Sequence, residues 1–299
     1  RTVTFSKALD FEHLSHRDVA GAVVLTPRVT NLTRNFVVRS ENPAGTPGHT
    51  ADIGHDATWQ VEYNELSGLG RTTTAVINDA PADASHTGLN QKGRYNDHHH
   101  HAQGFGSSSI GNVYRGSRGL PNAGKWGVTV HGTHDALIER NIAIDFPGSG
   151  FVTEDGYEVR NVFRKNFAAY ILGASGGEAA KMHMAGGQPG IEGAGFWLHG
   201  VMGSLLENEV WSSTVGIDFF STQIVAGMYP SVPGGVLDIA VTNVPAEHHL
   251  LRAVEVRGNV TASNDFAGIE YWDVNPFPVV DHIASYNSAL NIFAPIAEN

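Results

Sequence analysis

Apolar and polar positions along this chain alternate in short runs that break at turns, with no helical period between them. RTVTFSKALDFEHLSH alternates and then breaks, as an opening strand pair does. Two further strands are predicted at Val23–Leu25 and Phe36–Arg39, with a Pro/Gly turn around Asn42–Gly48. From Asn112 onward one phrase recurs: an Asn, a small apolar run, a turn, then Gly and a short strand. NIAIDFPGSGFVTE begins at Asn141, NEVWSSTVGIDFF at Asn208 and NVTASNDFAGIEYW at Asn259, with a weaker copy, DHIASYNSALNIFA, at Asp281.

The last interval, about 22 residues, is the length of one solenoid coil. Longer intervals call for insertions, for example at Gly116–Lys125 and Gly173–Gly193. The pattern therefore predicts an all-β chain, a single-stranded parallel β-helix (solenoid) with loop insertions. It would form one domain over residues 1–299, with N-terminal strands or a cap in 1–45 and coils in 46–299. A β-sandwich would give turn signals at shorter spacing without the shared phrase.

Composition fits short strands and tight turns, with 35 glycines, 13 prolines and only 16% charged residues. The net charge of −11 and the lack of a basic stripe argue against nucleic acid or an anionic membrane as partner. With no cysteine, disulfides and cysteine metal sites are excluded. No apolar run is long enough to span a bilayer. No signal peptide precedes Arg1, and a start without Met, directly in TVTF, reads as a processed or trimmed product. Asn31-Leu32-Thr33 matches a glycosylation sequon.

Aligning coils on the Gly that opens each strand brings chemistry into one column. GVTVH ends at His131, GFVTE at Glu154 and GFWLH at His199, and RYNDH, ending at His98, fits the frame with Arg94 in the glycine position. Equivalent positions on stacked coils lie about 4.8 Å apart. His98, His131 and Glu154 should therefore converge, with His100 on the same face and His99 and His101 on the other. Such a set suits Zn, Cu, Fe or Ni, whereas Ca²⁺ wants more oxygen ligands. His199 is placed further off, beyond a coil holding Asn166. His49, in the preceding coil beside His55, is a secondary ligand candidate.

Acid/base candidates are Glu154, Arg94, Tyr95, Asp97, Asp155 and Lys125: β-elimination from a uronate needs a base beside a cation that neutralises the carboxylate. Hydrolysis needs two carboxylates on one face. Glu154 and Asp155 are adjacent and so point apart, whereas Asp218 and Glu270 share a face two residues before the Glu154 column. Lys125, Trp126, Trp197 and Tyr229 are the substrate-binding candidates, with Trp272 a further aromatic.

The stretch GVTVHGTHDALIERNIAIDFPGSGFVTEDGYEVRNVF, Gly127 to Phe163, resembles the cell-migration-inducing hyaluronan-binding proteins and their transmembrane relative, which share a VTVHG…N…G…F-TEDG…RN-F pattern. GRYNDHHHHAQG resembles their Tyr-Pro-Ile-His-Phe-His segment at Tyr95, His98 and His100, and LTRNFVVRSENP, GFWLHG and GMYP also have counterparts. The likeness runs from about Leu32 to Pro230. Bacterial relatives show arginine-glycine-histidine where this chain has Pro47-Gly48-His49. The resemblance implies a right-handed parallel β-helix, an extracellular setting, action on a hyaluronan-like polysaccharide and a calcium requirement. Residues and resemblance together lead to the expectation of a secreted, metal-dependent lyase or hydrolase of an extracellular polysaccharide. The alternatives are a mononuclear redox-metal oxidase or oxygenase and a non-catalytic carbohydrate-binding β-helix.

Overall fold

The computed structural model describes residues 15–53, 58–77, 90–102, 106–173, 189–200, 202–220, 255–272, 280–286, 288 and 290–293. The chain divides into two compact units, Arg1–Thr33 and Arg34–Asn299. In the first, His16–Arg17 pairs antiparallel with Val23–Leu25, the predicted strand. The turn between them is closed by the Asp18 carboxylate, which accepts from the amides of Ala20 and Ala22 at 2.9 Å. The remainder of the predicted opening pair lies outside the described residues.

The second unit is a parallel β-helix, and every element among its described residues is a strand. One sheet of eight strands runs in the order Leu290–Phe293, Ala267–Trp272, Val215–Phe220, Ala194–Leu198, Ser149–Thr153, Trp126–His131, Asp97–His100, Thr50–Ile53. A second sheet of thirteen strands takes two short strands from most coils, such as Leu137–Glu139 and Ile142–Ile144. Phe36–Arg39, also predicted, belongs to it.

Alternation along each strand of the smaller sheet sends one set of side chains inward. Phe151 stacks on Phe196 at 4.8 Å between ring centroids, and Phe219 on Tyr271 at 5.1 Å. The aligning glycines do fall in one column, Gly127–Gly150–Gly195–Gly216–Gly268, as the flanking register shows. They are glycines because the neighbouring backbone comes too close for a side chain. A Cβ on Gly150 would stand 2.8 Å from the Gly195 carbonyl and 3.3 Å from Ala143 Cβ. Gly150→Ala is accordingly expected to cost about 1–3 kcal/mol in chemical denaturation, because backbone cannot yield as a side chain does. A cost below a few tenths would mean that the coils slide apart freely.

At one corner of the coil, Asn112, Asn141, Asn166, Asn208 and Asn259 form a buried ladder. Each side-chain oxygen accepts the backbone N–H of the previous Asn, at 2.9 to 3.0 Å. Each amide nitrogen donates to a carbonyl one coil back, those of Val61, Ser109, Ile138, Phe163 and Leu205. The residue before each Asn turns the corner with positive φ: 67° at Gly111, 54° at Arg140, 57° at Lys165, 54° at Glu207 and 67° at Gly258. The repeat phrase was thus a corner, and the neutral amide supplies both donor and acceptor there. Its weaker copy is displaced by two: Ile283, not Asp281, pairs with Asn259.

Candidate metal and acid/base site

The site lies on the outer face of the eight-stranded sheet, where three consecutive coils leave their strands. His131 sits opposite His100, and His98 opposite Thr129. The predicted column thus slips by two residues at this coil, and the face is kept because the slip is even. The cause is Arg94: it lies outside the strand, which starts at Asp97 with no glycine at its entry. Single nitrogens of His98, His100 and His131 all lie within 4.8 Å of one another.

Outer hydrogen bonds fix two of the rings. His98 Nδ1 faces the Gly93 carbonyl at 3.0 Å and must donate to it, leaving Nε2 as the lone-pair nitrogen. His131 Nε2 donates to Asp155 Oδ2 at 2.7 Å, which turns Nδ1 inward. These two inner nitrogens are 3.2 Å apart, and Glu154 Oε2 lies 3.2 Å from His131 Nδ1. His100 Nδ1 and Glu154 Oε2 are buried without a hydrogen-bond partner. Burial, then the neighbouring His131 and His100, holds His98 well below the usual imidazole range; His100 is brought down to about 4 by burial, His131 and His101. Burial also opposes charge on His131, but Glu154 and Asp155 outweigh it and raise its pKa.

Tyr95, fully buried, donates its hydroxyl to Glu154 Oε1 at 2.6 Å, and Lys92 Nζ stands 3.5 Å from the same oxygen. Burial and Glu154 push the Tyr95 phenol well up, so it stays a donor. Lys92 is a contributor that the sequence reading missed; its place two residues before Arg94 was the available signal. Glu158 was missed as well, although it closes the TEDGYE turn.

His199 is closer than expected. Asn166 belongs to the coil of Glu154 itself, and His199 directly follows the very next strand, its Nδ1 2.6 Å from the Glu154 carbonyl. Its ring packs between Trp197 and Phe220 and is not among the three grouped histidines. His49 is outside that group too; burial, with Arg71 and Arg94 nearby, brings it to about 4. Asp97 points inward, one residue from His98, and accepts from Trp59 Nε1 (2.9 Å), Ser109 Oγ (2.7 Å) and Tyr114 OH (2.6 Å).

Trp126 and Trp197 do not offer open platforms for a sugar. Both are fully buried and stacked at 5.9 Å, with Trp126 Nε1 bonded to the Gly190 carbonyl. Lys125 is buried as well: its ammonium stands 3.7 Å over the Trp126 ring and donates to the Pro189 carbonyl. Burial brings its pKa to about 7, against the pull of Glu154 and Glu192. Tyr229 and His55 lie outside the described residues, and Trp272 is placed only as the end of its strand. Asp218 and Glu270 pair in register, and burial followed by Glu270 and Glu192 pushes Asp218 well up.

His134, beside the site, accepts the Val159 N–H on Nδ1 at 3.1 Å and is brought to about 4, chiefly by burial. A histidine whose folded pKa is depressed stabilises the fold fully above its unfolded value and loses that contribution as pH falls toward the folded one. Between pH 6.5 and 4 the stability of the wild type relative to His134→Gln should therefore decline, by roughly 1.4 kcal/mol per pH unit. Denaturant midpoints of the two proteins across that window check it; parallel profiles would show that His134 titrates normally.

A family model described as CEMIP beta-helix matches residues 80–269. Human fibrocystin-L is 28% identical over 201 residues, covering 56% of this chain and 4% of that protein. Two G8 domain-containing proteins of Dictyostelium discoideum are also similar. One is 23% identical over 243 residues, covering 78% of this chain and 19% of its own length. The other is 31% identical over 175 residues, covering 57% and 10%. The chain thus spans less than a fifth of the length of these relatives. No helix among the described residues is long and apolar enough to cross a membrane.

Proposed function

The chain belongs to the CEMIP beta-helix family, and from that premise we propose that it is a secreted enzyme that cleaves an extracellular polysaccharide with a divalent transition metal held by His98, His100 and His131. The observation that carries the reading is the 3.2 Å approach of His98 Nε2 and His131 Nδ1, whose outer nitrogens are already committed to Gly93 and Asp155. With His131 neutral, both inner nitrogens turn lone pairs toward one point, and either a proton on His131 Nδ1 or a metal cation bridges them. Ligands about 2.05 Å from one tetrahedral metal stand roughly 3.3 Å apart, which this spacing matches. Carboxylate- and carbonyl-oriented imidazoles are the usual outer support of such ligands.

Glu154 Oε2, at the same 3.2 Å from His131 Nδ1, supplies a fourth donor, while Tyr95 and Lys92 hold Oε1. The donor set is rich in nitrogen and so fits Zn, Cu, Fe or Ni rather than calcium. Such a metal polarises a substrate oxygen or lowers the pKa of a bound water. The protein's own groups do the rest: Tyr95 anchors the Glu154 carboxylate, and Asp155 sets the His131 ring. With Oε2 on the metal and Oε1 held by Tyr95 and Lys92, Glu154 acts here as a ligand rather than as the general base.

The test is elemental analysis of tag-free protein beside a chain-length assay on hyaluronan and neutral glycans. One equivalent of a transition metal, with shortening that stops on chelation and returns with metal, is the expected result. Metal-free protein of full activity would remove the metal. Saturable glycan binding with no shortening would leave a binding module, and products that require O₂ would make it an oxidase or oxygenase.

A further inference from the structure

We propose that Glu158 is the positioning residue of the His131 centre: its carboxylate ties the turn after His131 to the turn after Glu154 and thereby sets Asp155 on His131 Nε2. Oε1 accepts the amides of Gly132 at 3.0 Å and Asp155 at 2.8 Å, and Oε2 accepts that of Gly156 at 2.8 Å. Gly132 directly follows His131, and Asp155 and Gly156 directly follow Glu154, so one side chain spans two coils of the site. The next coil closes over it: a Cβ on Gly200 would come within 2.5 Å of Glu158 Oε2. Glu158 is fully buried.

The choice of side chain has a chemical reason. Elsewhere coils are tied by Asn, which meets donors with its oxygen and acceptors with its nitrogen. Here all three partners are N–H donors, so only an all-acceptor carboxylate satisfies them; a glutamine would present its NH₂ to an amide that needs an acceptor. The Asp155 amide donates to Glu158 Oε1, and the reach of the Asp155 carboxylate to His131 depends on where that amide is held. Burial and the nearby Asp155 charge push the Glu158 carboxyl up, and the amides of Asp155, Gly132 and Glu158 itself act in the opposite sense.

The consequence for metal binding rests on the function proposed above; the positioning does not, and two readouts separate them. In metal-free protein the His131 Nε2–H, donated at 2.7 Å to a carboxylate, should give a downfield ring-proton NMR resonance, assigned by its loss in His131→Ala. Glu158→Gln is expected to remove or shift that resonance, whereas Gly150→Ala, which perturbs packing alone, retains it. Zinc affinity by calorimetry should fall roughly 10–100-fold in Glu158→Gln, the size of an outer-shell loss. If Glu158→Gln fails to fold, Glu158→Asp keeps the charge but is one carbon short, and the same two losses are expected. An unchanged resonance and unchanged zinc affinity in either folded variant overturn the proposal. A wild type that takes up no zinc, with the resonance still lost in the variant, removes the metal and leaves the positioning role standing.

Discussion

His131→Ala is expected to strip the protein of its metal, lowering affinity by more than the ~10–100-fold that losing an outer partner costs. The ring is the hinge of the set: its Nδ1 lies 3.2 Å from both His98 Nε2 and Glu154 Oε2. Removal also leaves Asp155 and Glu154, each buried, without the group that faces them. A fold penalty of about 1–3 kcal/mol should accompany the loss. Elemental analysis and a denaturation curve read the two effects separately. His100→Ala should lower metal content with little change in stability, since His100 Nδ1 has no hydrogen bond to lose. Wild-type metal content in both variants would sink the site.

The second large effect is expected far from the chemistry. Asn166→Ala leaves the Asn141 N–H and the Ile138 carbonyl without their partners and takes one donor from Asn208 Oδ1, all in buried surroundings. At about 1–3 kcal/mol for each of the two orphaned groups, the loss is roughly 2–6 kcal/mol, a large part of a typical domain's stability. Asn166→Asp should fall between, since it keeps the acceptor and loses the donor. Denaturant midpoints read the order. An alanine variant within about 1 kcal/mol of wild type would mean that water replaces the ladder.

Much of this was visible in the residues, for identifiable reasons. The Gly127–Gly150–Gly195 frame was right because close backbone approach leaves glycine no substitute, and it put His131, Glu154 and His199 in register. It failed at His98, where Arg94 was set in a glycine slot that this coil lacks. The cost was small, since an error of two residues preserves the face. What pattern could not convey was cover. Trp126, Trp197 and Lys125 read as substrate-binding candidates, and only the packing shows them enclosed. Nor could spacing reveal which ring nitrogen faces inward, because the carbonyl of Gly93 and the carboxylate of Asp155 decide that locally.

The Asp97 network has a bearing on the histidines beside it. A four-residue strand with no glycine at its entry has little to stop it from sliding along its neighbours. Asp97 is clamped inside the helix by Trp59, Ser109 and Tyr114, and His99 is held by Ser109 at 3.0 Å. A slide of one residue would drag that charge to the outside and send His98 and His100 into the core. The inward acid therefore works as a detent, indexing the strand to one position, and the spacing of the outward histidines is kept by a group that never meets the ligand.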